Sequence, residues 1–318
     1  MPHDLDSADA VRPVIGRFAP SPTGDLHAGN IFAYLMAWLI AKRDDGKIVL
    51  RIEDLDRERS KPEYATKIMH DLESLGLGWD IGPVYQNYRD DAYEDALSRI
   101  SDMANVYPCF CTRADLHSAS APHAGEKPIY SGKCKHLDNA AIEARYREGR
   151  RASKRLEVPG VRICLIDGIQ GEYCQDLARD CGDFIIRKAD GSFAYQLAVV
   201  VDDAACGVSS VVRGVDLLES TPQQIHLQRL LELDTPDYFH VPLFVDNSGR
   251  RLSKRNHDAS LDEMLRTYGS PERVLGHIAH IAGLIDEEGS VTPEEILKVI
   301  RGRDLSEMLI DKQSILWR

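Results

Sequence analysis

Three groups of residues in this chain have types and spacings suited to chemistry. The first spans residues 17–30, R-F-A-P-S-P-T-G-D-L-H-A-G-N. An apolar strand stops at Phe18, Pro20 and Pro22 stiffen the loop behind it, and Gly24 lets the backbone bend closely. A helix is predicted to begin near His27. Its free N–H groups and positive dipole end then face the loop mouth, a ready seat for phosphate. A Walker-type phosphate loop would need Lys and Ser or Thr after Gly29, where Asn30 and Ile31 stand, so that motif is excluded.

The second group, G-R-R-L-S-K-R-N over 249–256, is a glycine-led stretch presenting Arg250, Arg251, Lys254 and Arg255. Taken alone it reads as a solvated basic turn. A sharper reading is a loop that brings Lys254 onto a polyphosphate as negative charge builds. The third group is Cys109-x-Cys111 with Cys134 further on. Three thiolates predict one structural Zn²⁺ per chain, and on chemistry alone its fourth ligand is His136, His117 or His123. Cys164, Cys174, Cys181 and Cys206 read as small core residues.

The elements that must hold these groups follow from periodicity and breakers. Strands are expected over 14–18, over 47–53 and near Val84, with helices over 26–42, 61–75 (stopped by Gly76) and 90–103. Residues 106–183 hold six of the seven cysteines and a Pro/Gly/Ser tract, and read as an insertion. Strands over 184–187, 193–201 and 209–213 and a helix over 221–233 resume the α/β pattern. Helices then follow over 261–268, 271–282 and 293–300. The expected class is α/β, a Rossmann-type doubly wound parallel sheet with a zinc-containing insertion and a C-terminal helical region. Its parts are expected at 1–107, 108–182, 183–240 and 241–318.

Composition narrows the partners. Lys and Arg total 39 against 51 Asp and Glu, a formal charge of −12 over 318 residues, which excludes a wholly basic nucleic-acid-coating protein. A local basic stripe is still enough to meet nucleic acid. The longest apolar run, 31–41, is shorter than the ~20 residues that cross a bilayer, so it reads as a buried helix with no membrane partner. A polar, acidic start and an odd cysteine count point to a reducing cytoplasm.

Together the first two groups resemble the signatures of class I aminoacyl-tRNA synthetases in their glutamyl form. His27-Ala28-Gly29-Asn30 stands where His-Ile-Gly-His is usual, and Arg251-Leu252-Ser253-Lys254-Arg255 where Lys-Met-Ser-Lys-Ser is usual. Asn30 in place of the second His keeps a hydrogen bond and loses a charge. L-R-I-E-D-L-D-R (50–57), F-A-Y-Q-L-A-V-V-V-D-D (193–203) and V-V-R-G-V-D-L-L-E-S (211–220) follow the same family in order. The resemblance implies a glutamate site on Arg17, Phe18, Ala19, Pro20, Ser21, Glu53, Tyr195 and Arg213. Arg17 and Arg213 grip carboxylates, Glu53 holds the ammonium and the Tyr195 hydroxyl closes the pocket. It implies ATP, with Mg²⁺, at His27, Gly29, Asn30 and Lys254, with His27 and Lys254 catalytic. The two signature regions are Pro20, Ser21, Pro22, Thr23, Gly24, Asp25, Leu26, His27, Ala28, Gly29 and Asn30, and Arg251, Leu252, Ser253, Lys254 and Arg255.

The cysteine group adds a further resemblance, to the glutamyl-Q tRNA(Asp) synthetase branch, where Cys-x-Cys is followed by Tyr-x-x-x-Cys. It implies metal ligands Cys109, Cys111, Tyr130 and Cys134. Little chain follows Lys254, so a full anticodon-binding portion is not expected there. The implied function is activation of L-glutamate with ATP, then transfer to queuosine in the anticodon arm of tRNA(Asp), by a monomer in the cytoplasm. The alternatives are a truncated glutamyl-tRNA synthetase charging tRNA(Glu), an inactive RNA-binding paralogue, or a small-molecule adenylyltransferase. The basic strip for RNA is expected on Arg250, Arg251, Arg255, Lys133, Lys135 and the cluster over 145–155.

Overall fold

The computed structural model describes residues 13–112, 129–252, 260–309 and 312–317. The fold begins with β1 (Ile15–Phe18), α1 (Ala28–Arg43), β2 (Lys47–Ile52), α2 (Pro62–Ser74) and β3 (Ile81–Tyr85). The three strands are parallel in the order β1-β2-β3. Eleven of the sixteen residues of α1 are buried. A helix apolar on every side has to be wrapped by other elements, and α1 accordingly forms the middle of the larger apolar core.

After α3 (Asp90–Met103) the chain enters the expected insertion, with β4 (Val106–Cys109), α4 (Asn139–Arg147), β5 (Ser153–Leu156), β6 (Arg162–Asp167), β7 (Gly171–Asp176) and β8 (Phe184–Arg187). Strands β4, β5 and β8 form an antiparallel sheet in that order, and β6 and β7 an antiparallel hairpin. Then come α5 (Tyr195–Ala205), β9 (Ser210–Gly214), α6 (Thr221–Leu230), β10 (Asp237–Val241) and β11 (Leu243–Val245). The chain closes with α7 (Leu261–Tyr268), α8 (Pro271–Ala282), α9 (Pro293–Ile300), α10 (Leu305–Leu309) and β12 (Ser314–Leu316).

Strands β9 and β10 are parallel, and Ser209 joins them to the first sheet. Its hydroxyl accepts from the Ile15 N–H at 2.9 Å and its own N–H donates to the Ile15 carbonyl at 2.9 Å. The strands therefore run β3-β2-β1-β9-β10, the Rossmann-type layout expected, with the reversal of order between β1 and β9. Both faces are covered. Phe18, Ile48, Leu50, Ile52 and Val212 pack with α1, α2 and the C-terminal helices, while Val49 and Val211 pack with α3, α5 and α6. Alternation along a strand then decides the fate of Arg17, Arg51 and Arg213. Each lies on the α5 side, near the carboxyl end of its strand. Ligands of open α/β sheets sit in the crevice at those ends, where strand order reverses.

Four expectations change. Residues 193–201, expected as a strand, belong largely to helix α5. Leu197, Ala198, Val199 and Val200 are all buried, and a short, wholly apolar run has the same pattern in either element. Strand β8 does not rejoin the parallel sheet but pairs antiparallel with β5. The mostly helical C-terminal region ends in a strand, because β12 pairs in parallel with β11 and the Trp317 ring meets Phe244 edge-on at 5.3 Å. Cys164 and Cys174 are not core residues: they face each other across β6 and β7 as a disulfide, with Cys164 exposed. Among the described residues no helix is long and apolar enough to cross a membrane.

The turn between α1 and β2 offers a check on this packing. A Cβ on Gly46 would lie 2.2 Å from the Val14 carbonyl oxygen and 2.7 Å from that of Ala41, both backbone atoms. Gly78 has nothing within 4 Å. Gly46→Ala should cost about 1–3 kcal/mol in urea denaturation, with Gly78→Ala nearly neutral; equal midpoints for the two variants would contradict the packing.

Candidate active site and metal centre

At the carboxyl ends of β1, β2 and β9 lies a cavity of about 660 Å³. Its floor is built from charge that cannot reach bulk water. Arg17 donates from Nη1 to the Val212 carbonyl at 2.6 Å, and its Nε lies 3.8 Å from Asp203 Oδ1. Arg51, fully buried, donates to Asp203 Oδ1 at 2.5 Å and to Glu53 Oε1 at 3.0 Å. Burial works to lower the Arg51 pKa, but Asp203, Glu53 and Asp202 carry it above the ordinary value. Burial raises the Glu53 carboxyl, whose side chain is 11% exposed, against the pull of Arg51. It also pushes the hydroxyls of Tyr34 and Tyr195 upward, so both stay neutral donors. With Arg213, three guanidiniums meet three carboxylates, since Asp202 Oδ2 also lies 4.0 Å from Arg51 Nε. Of the three guanidiniums, Arg17 and Arg213 line the cavity, where their fixed geometry suits a ligand's anionic groups.

The backbone supplies a second pole. His27 caps α1 in extended conformation, with its N–H donated to Asn30 Oδ1 at 3.4 Å. His27, Gly29 and Asn30 line the cavity, so the N-terminus of α1 opens into it. Gly24 shapes the approach at φ +151°, a conformation L side chains rarely adopt. The Glu53 N–H donates to the Pro20 carbonyl at 2.9 Å and the Lys61 N–H to that of Pro22 at 3.0 Å, which ties the loop down.

Of the residues expected in the glutamate site, Arg17, Ala19, Pro20, Ser21, Glu53, Tyr195 and Arg213 line this one cavity. Phe18 does not. It follows Arg17 on β1 and so points to the opposite face, fully buried, 5.4 Å from the Tyr34 ring. Thr23, Leu26, His27, Gly29 and Asn30 of the first signature also line it, while Pro22, Gly24, Asp25 and Ala28 shape the turn or pack behind it. Asp25 pairs with Lys67 at 3.5 Å, and Ala28 is in the core.

Ser253, Lys254 and Arg255 lie outside the described residues, but both flanks of their segment are anchored at the cavity. Arg251 and Leu252 line it, and Arg251 pairs with Asp216. On the far flank Ser260 bridges to His27, and the Leu261 N–H donates to the Leu26 carbonyl at 2.9 Å. Sequence reasoning overlooked Arg51, Asp203, Tyr34 and Asp216. The available signal was parity: Arg51 shares a strand face with Val49, so a charge there had to be buried and matched.

The cysteine group converges as well. The sulfurs of Cys109, Cys111 and Cys134 lie within 4.8 Å of one another, with Cys111 and Cys134 3.6 Å apart. The Tyr130 hydroxyl is 3.5 Å from Cys109 Sγ and accepts from the Cys134 N–H at 2.8 Å. In a tetrahedral site with metal–sulfur bonds of about 2.3 Å and a metal–oxygen bond of about 2.0 Å, the S–S edge is about 3.8 Å and the S–O edge about 3.5 Å. The donor set fits such a cation. Burial pushes the Cys111 thiol up to about 12, a cost that a bound cation's charge offsets. His136 is exposed and outside the cluster, while His117 and His123 lie outside the described residues.

The expected basic strip is thinner than its sequence. Arg155 is buried over the Tyr130 ring at 3.8 Å, and Lys135 pairs with Glu157 at 2.8 Å. Arg250 pairs with Asp246 at 3.0 Å. Arg147, Arg151 and Lys154 remain exposed.

Comparison with known proteins shows the family. Residues 13–307 match the family of tRNA synthetases class I (E and Q), catalytic domain. The chain is 44% identical over 295 residues to the glutamyl-Q tRNA(Asp) synthetase of Symbiobacterium thermophilum, covering 89% of this chain and 91% of that one. It is 48% identical over 251 residues to the protein of the same name in Geobacter sulfurreducens, covering 78% of each. A glutamate tRNA ligase from Elizabethkingia meningosepticum, solved with its amino acid, superposes with a TM-score of 0.78 at 25% identity, covering 96% of this chain and 67% of that one.

The buried charge is the most sensitive part of the site. Arg51→Ala leaves the carboxylates of Glu53 and Asp203 in the interior without their shared partner, and should cost about 3–5 kcal/mol in urea denaturation. A loss below 1 kcal/mol, the range of a surface pair, would show that water reaches this triad.

Proposed function

Since the chain belongs to the class I tRNA synthetases for glutamate and glutamine, we propose that it activates L-glutamate with ATP, without tRNA, and transfers the glutamyl group to queuosine in the anticodon arm of tRNA(Asp). The observation that carries this reading is the convergence of Arg17, Arg213 and Glu53 on the cavity into which the His27 helix start opens. The two guanidiniums hold the carboxylates, Glu53 takes the ammonium, and Tyr195 closes the pocket with its hydroxyl.

The glutamate α-carboxylate attacks the α-phosphorus of ATP in line, and pyrophosphate leaves. The protein's part is positioning and charge stabilisation. The N–H groups at the start of α1, with His27 and Lys254, take up the charge that builds on the phosphates, and Mg²⁺ accompanies the nucleotide. A hydroxyl of the modified base then attacks the glutamyl carbonyl of the anhydride, forming the ester and releasing AMP. Arg147, Arg151 and Lys154 form the reduced strip that meets RNA phosphates. This reading takes a monomer in the cytoplasm as the working unit.

Labelled glutamate supplied with ATP should pass to bulk tRNA from queuosine-containing cells and not to tRNA from cells lacking queuosine. Equal transfer to both would favour charging of tRNA(Glu), a reading to which the Elizabethkingia likeness lends weight, and no transfer with no glutamate-dependent pyrophosphate exchange would favour an inactive paralogue.

We assign the Cys109, Cys111, Cys134 and Tyr130 group to one structural Zn²⁺, which braces the insertion. Elemental analysis of protein expressed with zinc should give about one equivalent per chain, and Cys134→Ala close to none, with a lowered Tm. A zinc-free native protein with an unchanged melting curve after chelation would remove the site.

A further inference from the structure

Arg213 meets the cavity with most of its donors already engaged. Nη1 donates to Gln224 Oε1 at 2.8 Å, Nη2 to Thr221 Oγ1 at 2.8 Å, and Nε to His240 Nε2 at 2.9 Å. The last contact settles where the His240 ring carries its proton. An arginine Nε has only a hydrogen to offer, so His240 Nε2 must accept and the ring N–H must be on Nδ1. Asp167 Oδ2 stands 2.6 Å from that nitrogen, and both side chains are sealed from solvent. Thr221 packs into the same corner: its hydroxyl accepts from Arg213 Nη2 and lies 3.3 Å from His240 Nε2.

Asp167 is held as firmly as the ring it faces. Its Oδ1 accepts the backbone N–H groups of Ile169, Gln170 and His240 at 3.0, 2.9 and 3.0 Å. The Gln170 amide donates to the His240 carbonyl at 2.9 Å, and the Tyr238 ring stacks on the imidazole at 6.1 Å. Burial works against a charged ring, and Arg213 adds to that effect, so His240 is held below its ordinary range despite Asp167. The opposite tautomer would set two donors face to face at Arg213 and a carboxylate against a ring lone pair. Neither Asp167 nor His240 lines the cavity.

We propose that Asp167 and His240 are positioning residues for glutamate recognition: the carboxylate selects the imidazole tautomer, and the imidazole fixes the plane in which Arg213 presents its guanidinium to a substrate carboxylate. This rests on reading the cavity as a glutamate site. It adds a control point at the end of β6, in the inserted segment, for an arginine on β9.

Asp167→Asn tests it. The Asn oxygen keeps the three backbone contacts, while its amide replaces Oδ2 with a donor and drives the ring proton to Nε2, against Arg213. Ring ¹⁵N NMR of histidine-labelled, ligand-free protein should show His240 neutral and protonated on Nδ1, and protonated on Nε2 in Asp167→Asn. In glutamate-dependent ATP–pyrophosphate exchange, Asp167→Asn should raise the KM for glutamate about tenfold and leave that for ATP within about twofold. His240→Gln, which restores an acceptor near the Nε2 position, should recover most of the glutamate KM. A wild-type ring protonated on Nε2, or KM values for both substrates rising in step, would overturn the proposal. A wild-type protein without glutamate-dependent exchange strikes the glutamate reading instead, and the ring tautomer then decides the positioning claim by itself.

Discussion

A guanidinium with no exposure to solvent stands at the end of β2, and the rest of the site is arranged around it. Arg51 can stay there only because Asp203 and Glu53 approach it from α5 and from the strand's own end. Such a triad adds little stability over an apolar filling of the same volume. What it contributes is placement. It locks the start of the parallel sheet to α5, turns Glu53 toward the cavity, and sets Asp203 within 3.8 Å of Arg17. Moving any one member leaves a buried charge unmatched, so the polar floor of the cavity behaves as one rigid part.

Against this floor, α1 plays the opposite role. Its middle is apolar and buried, with Lys42 and Arg43 confined to the last turn, and its N-terminus faces the crevice between β1 and β9. The two poles are thereby separated by kind. Guanidiniums of fixed geometry, Arg17 and Arg213, stand at one pole, and the backbone N–H groups of the α1 start with His27 stand at the other. The two flanks of the 253–259 segment are tied to that same helix start, through Ser260 and His27, and to Asp216 just beyond β9, through Arg251.

The inserted segment is not a mere appendage. Its hairpin returns to the parallel sheet, where the Gly168 N–H donates to the Tyr238 carbonyl at 2.8 Å. A side chain at Gly168 would run into the Phe239 ring at 2.2 Å, so this close approach requires glycine. At its far end the insertion gathers three thiols and a phenol around a point suited to a cation. One segment thus holds the cluster and, through Asp167, braces a wall of the cavity.

Much was legible before any fold was seen. The proline- and glycine-shaped loop, the apolar helix behind it, the basic stretch at 249–256 and the Cys-x-Cys group are local patterns, and local patterns survive in sequence because their cause lies within a few residues. The tertiary structure decided what depends on partners distant in the chain. Residues 195–201 became helix because burial against the sheet, not β-branched propensity, determined the element. Phe18 left the cavity and Arg51 entered its floor by the parity of their strands, which has meaning only once each face has a cover. Asp167 reached His240 because contacts between residues 73 apart arise from topology. The chain alone determined which chemical groups were present; only the folded packing determined which of them are buried together, and burial is what makes their charges and protons matter to one another.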